Sequence, residues 1–364
     1  MNNCKKYRYK LILISVFFCS IIGCKNARKT NSDNTLEFIP NKYSKQFCIS
    51  RQANKYVLFN ISGTDTERVD LVENNKLPRV AVLSTVFAGF LEALNLQHCI
   101  VGLDKINYYN DSIILKKYAD KSIKEIGEEG NLRIEDIIAL KLDYLIVSSF
   151  SGAQKESYTL LKKFGIKIIF CDNFKEQHPL ARAEWLKFFG VLFNCYPQAD
   201  SLFNTIETNY NSIKTMSLNK LKPKVLTDAP FGDSWFVPGG NSFTAKLIED
   251  AGGEYLFKHK MPLFSYALHI EEVLTTAHNA DVWLNINQYK TLEELAQTDK
   301  RYTLFKPFKN KMLFNNNKQE NSKGGNVFWE IGAARPDWIL SDMNAIISKN
   351  YSSKKNWYFY NRLK

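Results

Sequence analysis

The stretch from Pro197 to Asn219, PQADSLFNTIETNYNSIKTMSLN, constrains this chain more than any other. Its apolar positions Ala199, Phe203, Ile206, Tyr210 and Ile213 alternate steps of four and three, which puts them on one buried stripe of a helix. Leu202 and Met216 widen the stripe. Pro197 fits the first turn, where its missing N–H costs nothing. Asp200 lies near the positive end of the helix dipole, and Lys214 and Lys220 lie toward the negative end. At 1.5 Å per residue such a helix is roughly 34 Å long, the width of a small domain. The patterns on either side of it look alike, so it reads as a strut between two lobes.

Before the strut, RVAVLST, CIVGL, DYLIVSSF and KIIFCDN read as short buried strands. VFAGFLEALNL, NLRIEDIIALK and SYTLLKKFG alternate with them as helices, and Pro179 to Phe193 reads as one further helix. After Lys222-Pro223 the alternation restarts, with strands KVLTDAP, DVWLNIN and KMLFNNN and helices FTAKLIEDAGG, HIEEVLTTAH, LEELAQ and WILSDMNAII. DSWFVPGGNS and KQENSKGGNVFWEIGAARPD read as loops. Ahead of the first lobe, FCISRQANKYVLFNI reads as a β-hairpin turning near Ala53-Asn54. The expected fold class is α/β, two lobes each with a mainly parallel sheet flanked by helices, joined by one long helix. The expected divisions are 1–24 (export segment), 25–78 (tether and β-ribbon), 79–196 (first lobe), 197–222 (connecting helix) and 223–364 (second lobe).

The export segment has a basic start, KKYRYK, then an apolar run from Leu11 to Ile22, then Gly23 and Cys24. The run is short for a membrane span and right for a signal-peptide core. Ile21-Ile22-Gly23-Cys24 looks like a lipobox, which would acylate Cys24 and tether the mature protein to a membrane. A plain signal peptide or a short anchor helix is the alternative. The polar KNARKTNSDNT that follows suits a flexible tether.

An apolar fraction of 45% with 13% aromatics supports real cores. Losing Lys5, Lys6, Arg8 and Lys10 with the export segment lowers the formal charge from +12 to +8, spread without a basic run, so no nucleic-acid partner is expected. Cys48, Cys99, Cys171 and Cys195 lie far apart with no CxxC pair and are expected as buried free thiols. The five histidines show no metal-ligand spacing, and no GxSxG elbow or phosphate-cradling loop is present. Neither a catalytic residue nor a bare metal site can be nominated.

The order strand–helix–strand–loop–NLxxEDIIALK–strand, then strut, then VPGGxSFxAxLIxDAGG, EEVL, DVWLN and GGNxFWExGxxRPD resembles the class III periplasmic binding proteins over about Arg79 to Leu340. These serve ATP-driven importers of iron-siderophores and cobalamin, and the likeness is to their lipoprotein branch in Gram-negative bacteria. The resemblance implies a rigid connecting helix with the ligand in a cleft between the lobes. It implies no covalent chemistry and no resident cofactor. It also implies a monomeric, membrane-tethered, periplasm-facing receptor that passes its ligand to an ABC permease and its ATPase. A metal chelate, a ferric siderophore first, is the expected ligand. Cobalamin or haem is the nearest alternative, an exported lipoprotein hydrolase is a reading from another class, and a surface-exposed scavenger is a third.

In an open α/β sheet the ligand sits beyond the carboxyl ends of the strands. Those ends nominate Ser84, Thr85, Phe87, Tyr108 and Phe150 in the first lobe and Trp235, Asn326 and Trp329 in the second. Arg335 is placed to hold an anionic group, or else to pair with Glu330 or cap the last helix. Glu128 and Glu129 lie on a cleft-edge loop and read more readily as a solvated turn. By the family's motif positions, Glu135 and Glu271 dock on the permease. Asp136 and Glu272 are adjacent, and each pair also suits the first turn of a helix.

Overall fold

The computed structural model describes residues 36–53, 55–62, 65–71, 76–149, 155–217, 222–349 and 357–364. The export segment with Cys24, the tether up to residue 35, and Phe150 lie outside the described residues.

The hairpin expected ahead of the first lobe is part of a four-stranded antiparallel ribbon, β1 (Glu37–Ile39), β2 (Phe47–Gln52), β3 (Lys55–Ser62) and β4 (Asp65–Arg68). The turn falls where Ala53 takes the left-handed conformation, φ 52°. One face of the ribbon buries Phe47, Ile49 and Leu58 in the main core, where the Phe47 ring meets Trp185 edge-on at 5.0 Å.

In the first lobe, β5 (Val80–Val82), β6 (Ile100–Leu103) and β7 (Lys124–Glu125) precede a small hairpin, β8 (Gly127–Glu128) and β9 (Asn131–Leu132). Then come β10 (Tyr144–Val147) and β11 (Lys167–Phe170). The sheet runs β11-β10-β5-β6-β7 with every pairing parallel, so its strands are joined by crossover connections. In β5 and β10 every residue is buried, the mark of a sheet covered on both faces. The single helix expected over Pro179–Phe193 is two, Pro179–Ala183 and Trp185–Leu192.

The connecting helix spans Tyr196–Ser217, starting one residue before Pro197. Ala199, Phe203, Ile206 and Tyr210 are its buried stripe, as the spacing predicts. Tyr210 donates its hydroxyl to Asp250 of the second lobe at 2.9 Å, and Lys42 of the ribbon pairs with Glu207 at 2.5 Å. The strut is therefore held on both sides.

The second lobe contains β12 (Lys224–Thr227), β13 (Trp235–Val237), β14 (Glu254–Tyr255), β15 (Tyr266–Leu268), β16 (Val282–Leu284), β17 (Leu313–Asn315) and β18 (Asn361–Arg362). Its main sheet runs β14-β12-β16-β17-β18, parallel except for the last pairing. The segment DSWFVPGGNS is not all loop, because β13 pairs with β15 in a separate antiparallel ribbon. The four cysteines within the described residues form no disulfide with one another, and only Cys195 is not buried.

Candidate functional site

The main cavity between the lobes encloses about 350 Å³. The first lobe supplies its floor from the carboxyl ends of the strands. Leu83 and Ser84 follow β5, Ser148 follows β10, Asn173 and Phe174 follow β11, and Glu129 sits in the β8–β9 turn. Ser84 also caps the helix Thr85–Ala93, accepting the Val86 N–H at 3.3 Å, and Val86 and Phe87 of that helix line the wall. Glu129 is held by the Ser148 N–H at 3.2 Å and hydroxyl at 3.3 Å. Asp172 ties the neighbouring loops by accepting the N–H and hydroxyl of Ser149 at 2.8 and 2.6 Å. The second lobe contributes Phe243 from the start of the helix Phe243–Asp250, and Phe328, Trp329, Gly332 and Ala333 from the helix Val327–Ile331 and its end.

Arg182 is the cation of this cavity. Its Nε donates to Glu176 O and an Nη to Phe174 O, each at 3.2 Å, and the guanidinium lies 4.4 Å from the Phe243 ring centre. No carboxylate comes within ion-pair distance of it among the described residues. Burial accordingly lowers its pKa to about 10, with only a partial offset from Glu176. A half-buried guanidinium that spends two donors on carbonyls and forms no ion pair among the described residues keeps donors for an anion.

At the rim, Phe174 approaches Phe264 of the second lobe, ring centres 6.3 Å apart. A second cavity of about 360 Å³ lies beside the strut, lined by His178, Lys246 and Lys258 among others. Lys246 is matched by Asp250 at 3.0 Å and Lys258 by Glu254 at 4.0 Å, and burial lowers the His178 pKa to about 4. The main cavity, by contrast, is lined by one cation, Arg182, and one carboxylate, Glu129.

Of the residues nominated from sequence, Ser84, Phe87 and Trp329 line the main cavity, Trp329 with 56% of its surface exposed. Trp235 does not, and the expectation is corrected. It is 0% exposed, stacked on Trp283 at 5.4 Å beside Tyr302 and Phe305, and its indole N–H donates to Thr227 O. Arg335 is also corrected. Asp337 binds it through two oxygens at 2.9 and 2.7 Å, and it stacks on Trp338 at 3.8 Å. Thr85 begins its helix and Tyr108 is 41% exposed, and neither lines the cavity. Asn326 caps the helix Val327–Ile331 through the Phe328 N–H at 2.9 Å instead of facing the cavity. Glu135 is exposed, while its neighbour Asp136 is tied to Lys124 at 2.7 Å. Glu271 is exposed and pairs with Arg301 at 2.7 Å, and Glu272 with Lys260 at 3.1 Å.

Two α/β lobes on one connecting helix, with a ligand-sized cavity at the strand ends, define a class III substrate-binding protein of ABC import. The family model for periplasmic binding proteins matches residues 80–319, so the chain belongs to that family, whose members bind and deliver solutes rather than transform them. It is similar to an uncharacterized lipoprotein of Methanocaldococcus jannaschii, 26% identical over 298 residues, covering 79% of this chain and 69% of that one. Among solved structures, an ABC transporter substrate-binding protein from Listeria monocytogenes EGD-e superimposes with a TM-score of 0.55 at 20% identity, over 76% of this chain and 100% of that one. IsdE of S. aureus, solved with heme, gives 0.54 at 20% identity over 75% and 99%. No helix among the described residues is long and apolar enough to cross a membrane.

Proposed function

We propose that this protein is a receptor tethered to the membrane through Cys24 that captures a metal chelate, a ferric siderophore, and delivers it to the permease and ATPase of an ABC importer. The observation that carries this reading is Arg182, a half-buried cation that forms no ion pair among the described residues, in a cavity walled by Phe87, Phe174, Phe243, Phe328 and Trp329. A chelate with aromatic or apolar arms and a negative charge complements Arg182 and these rings.

Haem fits less well. Haem iron takes His, Cys, Met or Tyr from its protein. None of these lines the main cavity, and the stretch after Ser149, Phe150-Ser151-Gly152-Ala153-Gln154, contains none in its sequence. A siderophore brings its iron fully coordinated and needs no such donor. Cobalamin is also coordinated on arrival, but about 350 Å³ is small for a corrinoid with its nucleotide and near the lower end for small-molecule sites. The exposed carboxylates Glu135 and Glu271, one on each lobe, are the contacts we assign to the permease.

The test is tryptophan fluorescence of the chain from Lys25 onward, titrated with ferric catecholate, ferric hydroxamate, ferric citrate, haem and cobalamin, each against its metal-free control. Saturable quenching by a ferric siderophore class, lost in Arg182→Ala and Trp329→Ala, is the expected result. A response to haem alone, or to nothing in the panel, overturns it.

A further inference from the structure

Arg182 shares the main cavity with Glu129, and the turn that carries this carboxylate is tightly specified. Gly127 and Gly130 are left-handed, φ 88° and 98°. A Cβ on Gly127 would lie 2.2 Å from Asn131 O, so the β8–β9 hairpin closes in this form only with glycine there. The two acids of the turn then take different surroundings. Glu128 is exposed and pairs with Lys105 at 2.8 Å, whereas Glu129 is half-buried and lines the cavity. Ser148, at the end of β10, positions it, and both Ser148 bonds fall on one oxygen, Oε1.

Arg182 is anchored one strand over, on the carbonyls of Phe174 and Glu176 that follow β11. Because β10 and β11 are neighbours in the sheet, the cavity floor holds a cation and a carboxylate on adjacent strands. The two form no ion pair with each other, and the other polar residues of the lining, Ser84, Ser148 and Asn173, are neutral. Among the described residues the charges of the lining therefore cancel. A multiply anionic ligand would find one cation here and be repelled by Glu129. A ligand matched to both groups offers a negative oxygen to the guanidinium and a charged donor to the carboxylate, with apolar surface for the rings.

We propose that Glu129 is a specificity residue of the main cavity: it takes a protonated amine on the chelate while Arg182 takes the metal-ligating oxygens, so the preferred ligand is a ferric chelate with an ammonium arm. This rests on the proposed function and narrows it. A ferric trihydroxamate suits the arrangement, because its iron neutralises the hydroxamates and leaves the arm as the net charge. A ferric tris-catecholate stays strongly anionic and does not. Discrimination comes from Glu129 in both directions. An ammonium arm gains a charge-assisted bond, whereas a neutral arm covers the carboxylate with ligand and supplies no cation, which is a cost and not merely a missing gain.

The experiment is tryptophan-fluorescence titration of the chain from Lys25 onward with ferrioxamine B, a ferric trihydroxamate ending in a primary ammonium, and with its N-acetyl derivative, which keeps the chelate and loses the charge. The ammonium form should bind roughly ten- to a hundredfold tighter. Glu129→Gln keeps an oxygen to accept the Ser148 N–H, and should bring the two affinities together by weakening the ammonium form alone. A purely structural role for Glu129 would weaken both forms alike. Arg182→Ala should weaken both by the same factor. Equal affinities in the wild type, or a preference that persists in Glu129→Gln, overturns the inference and leaves the ferric-chelate reading standing. Binding of ferric catecholate or ferric citrate with neither trihydroxamate has the same consequence. Failure of every ferric chelate to bind overturns both.

Discussion

Glu184 accepts the backbone N–H of Tyr43 at 2.8 Å, joining residues 141 positions apart. The same carboxylate takes the N–H groups of Lys42 at 2.9 Å and Ser44 at 2.8 Å. Glu176 takes those of Lys45 at 2.9 Å and Gln46 at 3.1 Å. Two buried carboxylates thus satisfy five consecutive amides and seat the ribbon on the first lobe. The ribbon lies outside residues 80–319, the span of the family model, while both carboxylates of its seat lie within it.

Replacing Glu184 with alanine orphans three amides and removes one of the two acids beside the buried Lys187, the other being Asp200 at 3.0 Å. A loss of about 3–5 kcal/mol in urea unfolding is expected, with Glu184→Gln intermediate. Unchanged stability would mean that water replaces the carboxylate there.

Arg182 should behave in the opposite way. Arg182→Ala removes a half-buried charge that forms no ion pair among the described residues, so the ligand-free protein should lose little stability or gain some. Affinity for an anionic chelate should fall by about 2–5 kcal/mol, or roughly 30- to several-thousand-fold. Arg182→Lys should recover part of it, since a lysine keeps the charge without the planar fork. Titration of the three proteins side by side separates binding from folding.

Trp235 and Trp329 form a matched pair. Truncating Trp235 to alanine empties a four-ring cluster and should cost about 3–5 kcal/mol of stability. Trp329→Ala should leave stability near wild type and abolish ligand-induced quenching, because its ring is mostly in solvent at the cavity. Quenching retained in Trp329→Ala would move the ligand elsewhere.

That pair also shows what was legible in the sequence. Both tryptophans sit in glycine-flanked segments, which read as loops. The stretch Trp235–Val237 is a strand whose burial alternates in, out, in, so Trp235 is inside and Phe236 is the exposed ring. A three-residue strand is too short for periodicity to reveal, whereas the connecting helix repeats its stripe over six turns and could be read outright. Ser84 and Phe87 were reachable because strand ends point at the cleft. Arg182 was not. It lies in HPLARAEW, an ordinary helical run, and becomes a site only when the carbonyls of Phe174 and Glu176, in the preceding turn, and the ring of Phe243, distant in sequence, converge on it. Arg335 misled for the converse reason, since a local Asp337 two residues on was enough to occupy it.

Asp228 gives a pH test independent of the lobes. It follows β12 in a left-handed conformation, φ 62°, receives the hydroxyl of Thr227, and is pushed by burial up to about 7. A carboxyl raised in the folded state binds its proton more readily there than in the unfolded chain, so stability declines as pH rises. That contribution is complete below the ordinary carboxylate range and is lost progressively up to about 7. Asp228→Asn should therefore flatten the fall in urea midpoint between pH 5 and pH 7.5. A wild-type midpoint that rises across this window would contradict the assignment.

The permease contact is tested by reversing charge. Glu135 and Glu271 are both exposed, one on each lobe, at the first turns of the helices Ile134–Ala139 and Ile270–Ala277. Neither lines the main cavity, so the Glu135→Lys, Glu271→Lys double variant should bind chelate with wild-type affinity. Each carboxylate also favours its helix dipole by a few tenths of a kcal/mol, and Glu271 has Arg301 beside it, so a small loss of stability is expected as well. Uptake into cells or vesicles carrying the cognate permease should be abolished, because the two carboxylates proposed to contact it are replaced by cations. Because Asp136 is held by Lys124 and Glu272 by Lys260, reversing those neighbours should have a smaller effect on uptake. Normal transport by the double variant would show that the lobes are recognised through other groups.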